Sequence, residues 1–163
     1  MVAETADGHR RDPPLASAAV EIRVDVEELT AFMGGAFPGG VPWTIHRLDA
    51  DGVTLTLPTD DRHLRPGGTV SGPTMMMLAD SAAYAVVLAA VGLEALAVTT
   101  NLSINFVRRA EPGVLVADAE LLKAGRTQAL AEVRLHDGDP DHLVAHAVVT
   151  YSRVLAAPGP TAT

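Results

Sequence analysis

No cysteine occurs in the 163 residues, and lysine occurs once, at Lys123. The first absence excludes a disulfide framework, thiolate metal sites and a cysteine nucleophile, and leaves nothing that requires an oxidising compartment. The second leaves 12 Lys and Arg against 20 Asp and Glu, a formal charge of −8. That balance argues against sequence-independent nucleic-acid binding, which needs a basic footprint to displace phosphate counterions. Aromatic residues make up only 4% of the chain, so the composition favours aryl ligands no more than aliphatic ones. The 6 histidines show no ligand spacing, and neither a metal nor a cofactor is expected. The stretch Met1 to Arg11 has no hydrophobic core behind its charges, unlike a secretory signal, and a cytoplasmic protein is the expectation.

What is abundant is apolar residues, at 48%, enough for one domain with a real core. Residues 1–18 and 156–163 are polar, rich in proline and without periodicity, which predicts flexible ends around a domain spanning 19–155. The run Thr74 to Val98 carries only Asp80 and Glu94 as charges, and about twenty apolar residues suffice to cross a bilayer. Yet Asp80 would sit deep in hydrocarbon, Gly92 breaks the run, and no Lys or Arg flanks it, so a buried helix of a protein with no membrane contact is the expectation. A carboxylate inside such a helix must be paired, protonated or kept for chemistry.

The rest of the pattern says what covers that helix. An amphipathic helix is predicted near Val26 to Met33, with Asp25 as cap and Gly34-Gly35 as stop. Two alternating strands flank Asp51-Gly52, a hairpin signal. Ser71 or Gly72 caps the long helix and Pro73 occupies its first turn. Four strand-like runs follow, Ala97 to Val107, Val114 to Leu122, Thr127 to Leu135 and Leu143 to Val154. Turn signals between them suggest an antiparallel meander without crossovers. The order predicts an α+β domain, one curved antiparallel sheet wrapped around a long central helix.

The helix N-terminus offers unpaired N–H groups and a positive dipole end to an oxyanion. Asp80 lies 8 residues beyond Gly72, a rise of about 12 Å at 1.5 Å per residue. The plain reading of Asp80 is a carboxylate bonded to Ser81 or Tyr84, of Ser71 a simple N-cap, and of Thr99 ordinary strand propensity. His63 and Arg65 precede the glycine loop within reach of a ligand, and Met75, Met76 and Met77 suit helix packing or a pocket wall. His142 and His146 fall on a strand edge, not on a helix face.

The segment Ser71-Gly-Pro-Thr-Met-Met-Met-Leu-Ala-Asp80 resembles the His-Gly-Gly-x-x-x-x-Leu-Ala-Asp signature of hotdog-fold acyl-CoA thioesterases of the phenylacetate-degradation (PaaI-like) type. Val98 to Arg109, Ala124-Gly-Arg126 and Leu143 to Ser152 are similar to that family's later strands in order and spacing. The resemblance implies a hotdog subunit paired into a homodimer or dimer of dimers (a homotetramer), with sites at the dimer interface and an acyl-CoA substrate. By position, it assigns Asp80 as general base or nucleophile, the Gly72 N–H as oxyanion donor and Thr99 as the assisting hydroxyl. Ser71, His63, Arg65 and Tyr84 then fall among substrate contacts, with Tyr84 in line for the acyl tunnel. Arg108, Arg109, Lys123 and Arg126 are the cations available to coenzyme A phosphates. Three positions depart from the family pattern: Ser71 stands for the histidine, Pro73 for the second glycine and Arg65 for an upstream asparagine. Two other function classes fit the same fold, a non-catalytic acyl-CoA-binding protein and a hydratase or dehydratase, the latter requiring His63 to fold back toward the helix start.

Overall fold

The computed structural model describes residues 21–93 and 97–153; the termini expected to be flexible, 1–18 and 156–163, and both limits of the 19–155 domain lie outside them. Helix α1, Val26–Ala36, opens with a capping box in which Asp25 accepts the Glu28 N–H and Glu28 accepts the Asp25 N–H. Gly34-Gly35 does not stop it, contrary to expectation; the helix runs on to Ala36, and Phe37 is extended at φ −110°, ψ 118°. The breaker is Pro38, which drives the residue before it out of the helical region.

Strands β1, Thr44–Asp49, and β2, Gly52–Pro58, form the expected hairpin. After a 3₁₀ turn at Asp61–His63 comes α2, Gly72–Val91, capped by Ser71 and closed by Gly92 at φ 100°. Then follow β3, Val98–Phe106; β4, Val114–Ala124; β5, Gln128–His136; and β6, Leu143–Ser152. All pairings are antiparallel, in the order β1-β2-β4-β5-β6-β3. A meander without crossovers is therefore overturned at one step: β3 lies at the far edge beside β6, and β4 pairs with β2. The Glu111-Pro-Gly signal marks a long passage, not a tight turn. Its Ala110 carbonyl takes the Val70 N–H at 3.0 Å, and its Val107 and Arg108 N–H groups bond the Val144 carbonyl, so the chain crosses in front of the α2 N-terminus.

Helix α2 packs against β2, β3, β4, β5 and β6. Five strands about 4.8 Å apart are wider than one helix, so the sheet must curl to reach it. Both surfaces are built small where they meet. Ala79, Ala82, Ala83, Ala85 and Ala89 on the helix and Ala117, Ala119, Ala131, Ala145 and Ala147 on the sheet are all fully buried, with Leu78, Val86, Leu55, Leu57, Val133 and Leu135 filling the remaining volume. The helix is long and apolar enough to cross a membrane, and here most of it is core. The α+β class, a six-stranded antiparallel sheet around a long central helix, is as the sequence predicts.

Candidate active site

One stripe of α2 carries Met77, Asp80, Ser81 and Tyr84, all half-buried, at a spacing that aligns them along the helix. Asp80 is bonded neither to Ser81 nor to Tyr84 in the structure. Its Oδ1 accepts the Thr99 hydroxyl at 2.8 Å and the Tyr151 hydroxyl at 2.7 Å, and Tyr151 also lies 2.9 Å from the Asp80 carbonyl oxygen. The Ser81 hydroxyl points instead to the Met77 sulfur at 3.9 Å. Among the described residues Asp80 Oδ2 has no hydrogen bond, and the carboxylate lines a hollow of about 320 Å³ with Phe37, Tyr84, Val98, Thr99 and Tyr151. One oxygen is held and the other is left for a ligand.

Thr99 and Tyr151 stand opposite each other on β3 and β6, and the register slips one residue later, before Asn101↔Thr150. That bulge at Thr100 changes which face of β3 each residue takes. Thr99 therefore shares the helix side with Leu102 and Ile104, while the Thr100 hydroxyl turns to the Thr150 carbonyl. Tyr151 is almost fully buried and its ring stacks on Tyr84 at 5.6 Å. Burial, then the negative charge of Asp80, pushes the Tyr151 phenol well above its ordinary value; burial raises Tyr84 as well. Tyr151 thus stays a neutral donor to the carboxylate.

A second hollow, of about 460 Å³, opens at the α2 N-terminus between Arg65, Thr69, Gly72, Phe106, Arg108 and Arg109. Ser71 caps the helix, accepting the Thr74 N–H on its side chain at 3.3 Å and the Met75 N–H on its carbonyl at 3.1 Å. Gly72 is not a turn glycine, for its φ is negative. An added Cβ would sit 3.5 Å from the Phe106 ring, in the space a ligand would use. Its N–H has no partner among the described residues. The Thr69 hydroxyl, on a residue only 6% exposed, is likewise unpartnered among them, although buried polar groups are almost always paired.

His63 fastens the loop to the helix: its carbonyl takes the Ser71 N–H at 2.9 Å and the Thr74 hydroxyl at 3.0 Å, and its ring Nδ1 faces the Asp60 N–H at 3.0 Å. Lys123 and Arg126 are exposed around the β4–β5 turn and line neither hollow. The other predicted residues divide between the two hollows, Asp80, Tyr84 and Thr99 in one and Arg65, Gly72, Arg108 and Arg109 in the other. Sequence reasoning missed Tyr151 and Thr69. Tyr151 is 71 residues from Asp80, and only the β3–β6 pairing, which a meander does not contain, would have drawn attention to it. No cluster of His, Asp and Glu fit for a metal occurs among the described residues.

The model of the thioesterase superfamily matches residues 67–150. A candidate thioesterase from Silicibacter sp. TM1040 is 43% identical, with 84% of this chain and 96% of that one covered at a TM-score of 0.76. Zebrafish thioesterase superfamily member 2, at 20% identity, shares the fold with a TM-score of 0.71 over 80% of this chain and 99% of its own. So does a hypothetical thioesterase with coenzyme A from Streptococcus pneumoniae TIGR4, at 23% identity and a TM-score of 0.61 over 69% and 88%. Among curated proteins none matches.

Proposed function

This chain belongs to the thioesterase superfamily, and from that premise we propose that it hydrolyses an acyl-CoA thioester with Asp80 as general base or nucleophile. The observation that carries the reading is the Asp80 carboxylate, gripped on Oδ1 by Thr99 and Tyr151 with Oδ2 facing the hollow. A carboxylate fixed this way can take a proton from water or attack the carbonyl carbon itself. In the first case the water oxygen bonds the carbonyl carbon and the C–S bond breaks. In the second the C–S bond breaks to leave an acyl anhydride on Asp80 that water then hydrolyses. In both the departing thiolate takes its proton from solvent, because Ser71 stands where the family has histidine. The Gly72 N–H at the positive end of α2 is the donor for the oxygen that becomes negative. The spacing of Ser71-Gly72-Pro73 and Leu78-Ala79-Asp80 supports the phenylacetate-degradation type within the superfamily.

Within one chain Gly72 and Asp80 line different hollows about 12 Å apart along the helix, so a single copy does not supply both. Strand β3 supports a site shared between two copies. Its first turn toward the helix, Thr99, touches Asp80, its far end, Phe106, touches Gly72, and its outer edge is unpaired in the sheet. Two copies joined edge to edge near Leu102 set Thr99 of each across from Asn105 of the other. That brings the Asp80 hollow of one copy against the Gly72 hollow of its partner and covers an edge that would otherwise invite aggregation. Coenzyme A phosphates then meet Arg65, Arg108 and Arg109, with the Thr69 hydroxyl available to a polar atom of the ligand. The coenzyme A held by the S. pneumoniae protein is a precedent on this fold.

Release of free thiol from short, medium, long and aryl acyl-CoA esters tests the reading. Wild type should turn over at least one class, and Asp80→Asn should lose about a hundredfold or more in kcat with the fold and oligomer intact. Equal turnover by both proteins sinks the role of Asp80. No turnover by wild type, with the esters still raising its melting temperature, indicates a binding protein.

A further inference from the structure

We propose that Phe37 is the partition between two compartments of the acyl channel, and that it sets the length of acyl chain accepted; the proposal rests on the thioester-hydrolase reading above. The hollow beside Asp80 adjoins a second one of about 260 Å³, walled by Pro38, Val41, Pro42, Trp43, Met77 and Ser81, and the residue lining both is Phe37. On the helix side the two follow the same stripe, Tyr84 and Asp80 in the first and Ser81 and Met77 in the second. They are adjacent hollows over the same face of α2, with Phe37 lining both.

The chemistry of the second compartment says what enters it. It has no charged side chain, and its polar side-chain groups are the Trp43 indole N–H and the Ser81 hydroxyl, which already faces the Met77 sulfur. Coenzyme A's phosphates belong with the arginines at the opposite hollow, so the hydrocarbon end of the substrate is what points this way.

Its walls differ in freedom. Trp43 is 4% exposed and packed in the core, and Pro38 and Pro42 have fixed φ. Phe37 is 44% exposed and stands between two glycine pairs, Gly34-Gly35 and Gly39-Gly40. A Cβ at any of those four glycines would meet nothing within 4 Å, and Gly39 and Gly40 have φ of 92° and 77°. The backbone at Phe37 is held by the end of α1, by Pro38 and by the Gly40 N–H on the Phe37 carbonyl at 3.0 Å. The glycines offer no side chain against the half-exposed ring, so what can move is the ring, by a change of rotamer. With the ring as observed, the acyl group ends beside Asp80; a longer chain has to displace it.

Butanoyl-, octanoyl-, dodecanoyl- and hexadecanoyl-CoA, compared in wild type, Phe37→Leu and Phe37→Ala, test this. Wild type should favour the shorter esters. The long-to-short ratio of kcat/KM should rise through Leu to Ala, by about fourfold for each methylene that gains cover, the fold-change equivalent to about 0.8 kcal/mol. Adding Ser81→Leu to Phe37→Ala refills the second compartment and should return the ratio toward wild type. Parallel chain-length profiles for all three proteins, or a ratio untouched by Ser81→Leu, overturn the partition. If wild type turns over no ester, the hydrolase reading fails, and the same series read by thermal shift decides the partition by itself.

Discussion

Tyr151 contributes to the site in two ways: it holds the Asp80 carboxylate, and it carries a proton that the buried setting refuses to give up. Tyr151→Phe keeps the ring stacked on Tyr84 and removes one of two donors to Oδ1. The expected cost is about 1.5–3 kcal/mol of stability for a hydrogen bond to a charged group. Turnover should fall about tenfold, the equivalent of 1.4 kcal/mol, mostly in kcat. The pH dependence has a definite sign. A phenol whose folded value lies above the ordinary 10.0 leaves stability intact below about pH 10 and removes it as pH rises through the folded value. Melting temperatures followed from about pH 8 upward should drop steeply beyond pH 10 in wild type and less so in Tyr151→Phe. A residual drop is expected from Tyr84, shifted in the same direction. An identical alkaline drop in both proteins would remove Tyr151 from the explanation.

At the scale of elements, the chain's punctuation reads well where one residue decides and poorly where pairing decides. Ser71, Pro73 and Gly92 bound α2 because each acts locally, through a cap, a fixed φ and a positive φ. Asp51-Gly52 sets the first hairpin for the same reason. Gly52 adopts φ 135°, and a Cβ there would fall 2.1 Å from the Ala119 carbonyl oxygen on β4. Gly52→Ala should therefore cost about 3 kcal/mol or more, visible as a lowered denaturant midpoint, whereas Gly67→Ala, with open space around it, should cost less. The position of β3 was not legible in this way. Nothing in Val98 to Phe106 distinguishes a strand that pairs with its successor from one that crosses to the far edge. The Thr100 bulge, which turns Thr99 to Asp80, depends on a partner strand that local alternation does not specify.

For the whole molecule, the architecture was legible because composition and order constrain it: an apolar helix needs cover on most sides, and five strands supply it, three of them, β4, β5 and β6, with buried alanines. Asp80 was legible as an anomaly, the one charged residue between Thr74 and Leu93 in a run that is mostly apolar. Its hydroxyl partners were half legible, since Thr99 follows the helix in sequence while Tyr151 lies at the end of the last strand. The division of Gly72 and Asp80 between hollows could not be read at all, because helical rise gives their separation along one chain and says nothing of a second.

That β3 touches Asp80 at one end and Gly72 at the other has a genetic corollary. In the edge-to-edge pair proposed above, a copy with Asp80→Asn and a copy with Gly72→Val would each be inactive when paired with itself, yet a mixed pair would contain one site with both groups intact and one with neither. Two defective alleles expressed together should then complement, restoring about a quarter of wild-type activity for random pairing of equal amounts. Co-expression with differently tagged copies measures this directly, and a mixture as inactive as its parents would mean that each chain works alone.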